Sequence, residues 1–262
     1  MSAGSGYDPA FFATLDAVED RHFWFRARRR AVAVILRQLT AGLANGYRLL
    51  ELGCGNGGML RLLRDCCPGG KVVGMDLYQE GLRHTRRRCD CPLVRGDVRQ
   101  PPFEEAFEIV ALFDVLEHVA DDAAMLAHVH RLLKPGGAVI LTVPAHMSLW
   151  SYFDIAAHHA RRYAPRELSS RLQEAGFIVE YLTQFMGAIY PLVWLGRRMR
   201  QMFGGSRDAV KMTQDDLRIT PGLNEVLAFA LAGEAEQISH RRRLTRGTSL
   251  LAVARKPRDG TC

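Results

Sequence analysis

A short apolar run that ends directly in glycines constrains this chain more than any other feature. Residues 47–52 form a buried-strand pattern, and Gly53-Cys54-Gly55-Asn56-Gly57-Gly58 follows at once. Helical spacing resumes over 57–67 with Met59, Leu62 and Leu63. A strand, a glycine turn and a helix in that order expose backbone amides at the helix start. They also let a ligand approach the main chain closely. The pattern then repeats. Strands are predicted at 71–76, 93–96, 107–113, 138–143 and 177–183, with helices at 79–88, 122–133 and 166–175 between them. Alternation of this kind predicts a parallel α/β sheet with helices on both faces.

Both ends depart from that rhythm. Residues 10–39 read as one helix and form an N-terminal helical segment over 1–46. The α/β core spans 47–185. A last strand at 248–254 lies 64 residues beyond the sixth, far more than a hairpin needs. Residues 186–240 are therefore expected as a helical cap inserted between the last two strands, with 241–262 closing the core. Within the cap, 204–221 reads as loop and 222–239 as one helix.

Composition excludes several classes. The 262 residues are 48% hydrophobic and 24% charged, ordinary for a globular chain. No apolar stretch is long enough to span a bilayer, and Met1 to Asp8 lacks a secretory pattern, so a cytoplasmic location is expected. The six cysteines (54, 66, 67, 89, 91 and 262) are accordingly expected as reduced thiols. Their spacing is not that of zinc knuckles, and no metal is expected. The net charge of +7 rests almost wholly on arginine, 31 of 35 basic residues. It admits an anionic small molecule, a nucleic acid, or a peripheral membrane contact along 186–203 with Arg197, Arg198 and Arg200 on its polar side.

The bare glycine pattern, Gly53, Gly55 and Gly58, is shared with dinucleotide-binding turns. Later segments separate the readings. They are Asp76 at the end of the second strand, Gly96-Asp97-Val98 after the third, Phe113-Asp114-Val115-Leu116-Glu117-His118-Val119 after the fourth, and Leu132 to Gly137 before the fifth. In order and spacing they resemble the class I S-adenosylmethionine-dependent methyltransferases. The segments from His22 to Arg28, Val143 to Ala145, Leu149 to Ser151, His159 to Tyr163 and Gly247 to Lys256 resemble one bacterial branch of that family. The resemblance implies a Rossmann-like sheet of seven strands, mostly parallel, with the last antiparallel.

It also implies roles, residue by residue. Glu51, Gly53, Cys54, Gly55 and Asn56 match the motif around the methionine part of S-adenosyl-L-methionine. Asp76 matches the ribose ligand, with Leu77 beside the adenine. Asp97 and Val98 match the adenine edge, and Phe113 the position whose backbone meets the cofactor's amino group. Trp24 and Arg28 are placed to close over the methionine end, where a guanidinium suits its carboxylate. His159 is the first candidate for base or orienter and His118 the second, because histidine titrates near neutrality.

Methyl transfer to an O, N or C nucleophile of a small, hydrophobic or aromatic acceptor is the leading expectation. Trp150, Tyr152, Phe153, Tyr163, Phe185, Tyr190 and Trp194 are candidate wall residues, or else core under the cap. The alternative is RNA methylation. No nucleic-acid partner is expected, since the fourth strand does not end in a segment suited to clamping a flipped base. A cofactor-binding protein without catalysis and a nicotinamide-dependent oxidoreductase are weaker alternatives. The motifs show no decay, and the C-terminal ones oppose the oxidoreductase.

Overall fold

The computed structural model describes residues 11–203 and 209–258, so Cys262 lies outside it, as does the side chain of Arg200. Strands β1 (Arg48–Leu52), β2 (Lys71–Asp76), β3 (Leu93–Arg95), β4 (Phe107–Phe113), β5 (Leu133–Pro144), β6 (Ile178–Phe185) and β7 (Ser249–Arg255) form one sheet. Its order is β3-β2-β1-β4-β5-β7-β6. β7 pairs antiparallel with both β5 and β6, and the remaining pairs are parallel. The expected Rossmann-like sheet is therefore present.

Eleven helices are described: α1 (Phe11–Val18), α2 (Phe23–Thr40), α3 (Gly58–Cys66), α4 (Gln79–Arg88), α5 (Asp122–Leu132), α6 (Tyr152–Ala156), α7 (Pro165–Glu174), α8 (Tyr190–Phe203), α9 (Ala209–Asp216), α10 (Leu223–Ala230) and α11 (Ala232–Ser239). They bury the sheet on both faces. Leu49 on β1 faces a cluster with Val32, Ile35 and Leu36 of α2. Leu50 and Leu52 face the opposite cluster, with Leu126 and Val129 of α5. Each such leucine contributes about 1.5–3 kcal/mol on burial.

Local expectations fail where tertiary contacts intervene. The single helix expected over 10–39 breaks at residues 19–22, because the His22 side chain caps α2 by accepting from the Trp24 amide at 3.3 Å. Residues 209–216 are helical where a loop was expected, and α9 packs against α6. The helix expected over 222–239 is two, meeting at Leu231. β5 begins at Leu133, because Gly136, at φ 78°, lets the Pro-Gly-Gly segment stay paired. Its amide donates to the Lys256 carbonyl at 3.0 Å. The sulfurs of Cys89 and Cys91, expected as thiols, lie side by side just after α4. Cys89 is extended at the end of α4, and the two Cα atoms lie 5.4 Å apart. Cys54, Cys66 and Cys67 are thiols.

The insertion is tied back to the body. Asn224 Oδ1 accepts from the Phe23 amide at 2.8 Å, and within the insertion Glu234 accepts from the amides of Met186 (2.5 Å) and Ala188 (3.1 Å) at its start. Tyr163 lies under the sheet, wholly buried. Its hydroxyl donates to Asp122 at 2.9 Å, and Arg161 holds the same carboxylate oxygen. Tyr163→Phe is expected to destabilise the fold by about 1.5 kcal/mol or more, as for a hydrogen bond to a charged group. Urea unfolding should register that loss, while cofactor affinity stays at the wild-type value.

Candidate active site

The chain reverses its direction of sheet growth between β1 and β4, opening a crevice beyond their carboxyl ends. A cavity of about 1100 Å³ fills it. All twelve residues assigned above to the cofactor line this cavity, together with His118 and His159.

The cradle follows from local backbone needs. Gly53 stands at φ 73°, and a Cβ there would meet a methyl carbon of Val115 at 2.6 Å. Gly55, at φ 50°, donates its amide to Asp76 Oδ2 at 2.8 Å, while Asp76 Oδ1 accepts from the Tyr78 amide at 2.8 Å. The end of β2 and the glycine turn thus share one carboxylate. Burial pushes that carboxyl up, and the backbone donors oppose the shift.

Polar atoms on the cavity lining await a ligand. Glu51 Oε2, Asn56 Oδ1 and Arg28 Nε are buried with no hydrogen-bond partner among the described residues. Burial drives the Glu51 carboxyl well up, against the pull of Arg28. Such atoms suit the amino and carboxylate groups of S-adenosylmethionine. Arg28 is committed in part within the protein. Its Nη1 donates to Asp114, and its Nη2 lies 3.9 Å from Glu19. The Trp24 ring lies over the Arg28 guanidinium at 4.9 Å. Asp97 is likewise engaged, accepting from Arg99 through both oxygens.

The opposite end is built by two loops. Ser151 caps α6 and donates its amide to Asp154 Oδ2 at 2.8 Å. The chain then turns through His158 at φ 55°, and Ala160 donates to the Glu117 carbonyl at 2.7 Å. This turn seats His159 beside Glu117. Asp154 Oδ1 faces His159 Nδ1 at 2.9 Å and accepts from Arg162 Nε at 2.6 Å, so it serves both the histidine and the arginine. Burial pushes the Asp154 carboxyl up, but these two partners outweigh it and hold it down at about 2. The His118 ring packs edge-on to His159 at 4.8 Å. Burial first, then His159, pushes it down to about 3, leaving a neutral imidazole. Glu117, wholly buried, is driven well up by burial and by Asp114. One ligand atom each from Glu117, His118 and His159 lies within 4.8 Å of the others.

Of the seven candidate wall aromatics, Tyr152 and Phe153 line the cavity, joined by Ile189 and Val193. Tyr163 and Phe185 are core, Tyr190 packs near His146, Trp150 is half-buried elsewhere, and Trp194 is 45% exposed. Helical spacing alone could not show which of them turn inward. Arg197 was also missed. It lines the cavity with a buried Nη1 that has no hydrogen-bond partner among the described residues. Burial, then the charge of Arg162, pushes it down to about 10, so it stays cationic at neutral pH. Glu117 stood in the quoted motif after β4 without a role.

No described helix is long and apolar enough to cross a membrane. A family model described as a methyltransferase domain matches residues 23–182. An S-adenosylmethionine-dependent methyltransferase of Mycolicibacterium smegmatis, named as probable, is 29% identical over 171 residues, 64% of each chain. A ubiquinone biosynthesis O-methyltransferase of Bordetella pertussis is 31% identical over 137 residues, 49% of this chain and 56% of that one. The matches span less than two thirds of either relative's own length. Haemonchus contortus phosphoethanolamine N-methyltransferase 2, solved in complex with S-adenosyl-L-methionine, shares the fold with a TM-score of 0.56. The identity is 19%, over 87% of this chain and 52% of that one. With more than half of its residues matched by the domain model, the chain belongs to the methyltransferase-domain family of enzymes.

Proposed function

We propose that this chain transfers the methyl group of S-adenosylmethionine to an oxygen, nitrogen or carbon nucleophile of a small, apolar or aromatic acceptor. The carrying observation is the division of one cavity. Glu51, Gly53, Gly55, Asn56 and Asp76 form a polar end, and Tyr152, Phe153, Ile189 and Val193 form an apolar end where His159 also faces inward. The cofactor's sulfonium supplies an activated methyl group. The protein's share is to align donor and nucleophile, exclude water and handle the nucleophile's proton. In this reading Asp76 holds the ribose, Leu77, Asp97 and Val98 border the adenine, and Phe113 meets the amino group through its backbone. Trp24 and Arg28 close the methionine end, and Cys54 lends its backbone to the turn.

His159 acts at the acceptor, as base or as orienter, and Asp154 is its positioning residue. His118 is the second candidate. Arg197 carries a charge and a buried Nη1 that no described residue engages, which suits an acceptor carrying a carboxylate or phosphate. The acceptor thus combines an apolar body with an acidic group.

Three outcomes test this reading. By calorimetry, Asp76→Ala should weaken S-adenosylmethionine binding by about 1.5–3 kcal/mol. Gly55→Val should abolish binding while the far-UV spectrum is kept, because a β-branched residue strains a left-handed turn. Stronger binding of a nicotinamide dinucleotide by the wild type would overturn the cofactor assignment.

In single-turnover assays with a methyl-accepting phenol, His159→Ala should lower the transfer rate by about 10²-fold or more and leave cofactor affinity within about twofold. An unchanged rate would remove His159 from the reaction. For an accepting phenol with a carboxylate, Arg197→Gln should raise KM by about tenfold, the cost of one charge-assisted hydrogen bond. Steady-state kinetics with the neutral ester as control would show that the effect follows the charge.

A further inference from the structure

The acceptor end brings together three metal-donor groups from two loops. Glu117 and His118 follow β4, and His159 follows α6. The bond from the Ala160 amide to the Glu117 carbonyl, at 2.7 Å, stitches those loops together. One ligand atom from each residue lies within 4.8 Å of the other two. Ligands about 2.1 Å from an ion stand roughly 3.4 Å apart in a tetrahedron.

Each residue carries a mark that a chance cluster lacks. Glu117 is wholly buried, and neither of its carboxylate oxygens has a hydrogen-bond partner among the described residues. A buried carboxylate without a partner is costly unless a cation or proton meets it. His159 is held at Nδ1 by Asp154, 2.9 Å away, which turns Nε2 toward Glu117 Oε1 at 4.0 Å. A carboxylate behind a histidine is the support that metal-bound imidazoles generally have. The backbone at Ala157 and His158 stands beside the His118 ring, which packs edge-on to the His159 ring at 4.8 Å.

We propose that Glu117, His118 and His159 bind a first-row divalent transition-metal ion, whose open positions face the cavity and take an oxygen of the acceptor. Two imidazoles and one carboxylate suit zinc, iron, cobalt or manganese, and leave coordination positions vacant. The last clause rests on the acceptor reading above, whereas the ion site does not. With the ion in place, His159 acts on the acceptor through the metal, which selects orienter over base. The site departs from the absence of metal expected from cysteine spacing, because its ligands meet only in the folded chain.

The test uses the full chain, stripped with a chelator and titrated with Co²⁺, then with Zn²⁺ as competitor. One ion per chain should bind, with visible d–d bands and no thiolate charge-transfer band. The dissociation constant should rise by at least about tenfold in Glu117→Gln and in His159→Gln. Calorimetry with S-adenosylhomocysteine and far-UV spectra establish that each variant is folded. His118→Gln provides a further arm should either variant fail to fold. Absence of a saturable site, a thiolate band, or equal affinity in a folded Glu117 or His159 variant would overturn the proposal. Failure to bind S-adenosylhomocysteine would overturn the methyltransferase reading and leave the ion titration to stand by itself.

Discussion

The structure depends on the parallel pairing of β1 with β4 at the centre of the sheet. From that seam the strands grow outward in opposite directions, so the loops beyond their carboxyl ends diverge and leave a crevice. Both faces of the seam are buried, and Leu49 and Leu50 each face a different core cluster. A displacement of β1 would therefore disturb two cores and the glycine turn together. This rigidity lets the turn hold backbone amides at fixed positions for a ligand.

Electrostatics then shapes the crevice. Glu51, Asp76 and Glu117 are buried carboxyls along one wall, and burial pushes each upward. Asp76 is held by backbone amides. Glu51 and Glu117 have polar atoms without partners among the described residues. The contrast distributes roles. Asp76 fixes the turn and keeps a further lone pair on each oxygen for a ligand, whereas Glu51 and Glu117 have oxygens that no described residue engages. Asp154 differs again. Two cationic or ionisable neighbours hold it low, and it anchors His159 and Arg162 at once.

The insertion between β6 and β7 covers part of the crevice and is fastened at several points. Glu234 takes two amides at its base, Asn224 joins it to the start of α2, and the Tyr152 hydroxyl donates to Asp216. Its inner residues meet the apolar end of the cavity, while Leu192, Leu195 and Met199 on α8 remain exposed. The cavity's polar groups thus stand at the carboxyl ends of the strands, and α6 and the insertion carry its apolar wall.

Much of this was legible in the residues. The glycine turn, the strand periodicities and Asp76 at a strand end are local signals, because backbone φ values and alternating burial act over a few residues. They led to the sheet, while the family resemblance supplied the fourteen assigned residues, all of which line the cavity. What the chain order could not convey depended on contacts between distant segments. The break before α2 needs the His22 cap. The fold of 209–216 needs α6 beside it. The inward faces of α6 and α8 decide that Tyr152 and Phe153, of the seven candidate aromatics, reach the cavity, together with Val193. The meeting of Glu117, His118 and His159 likewise required two loops, about forty residues apart in sequence, to be joined by one backbone hydrogen bond. Local conformation follows from steric and hydrogen-bonding rules within a turn or strand. Which side chains share a pocket is decided by packing among segments that sequence spacing does not order.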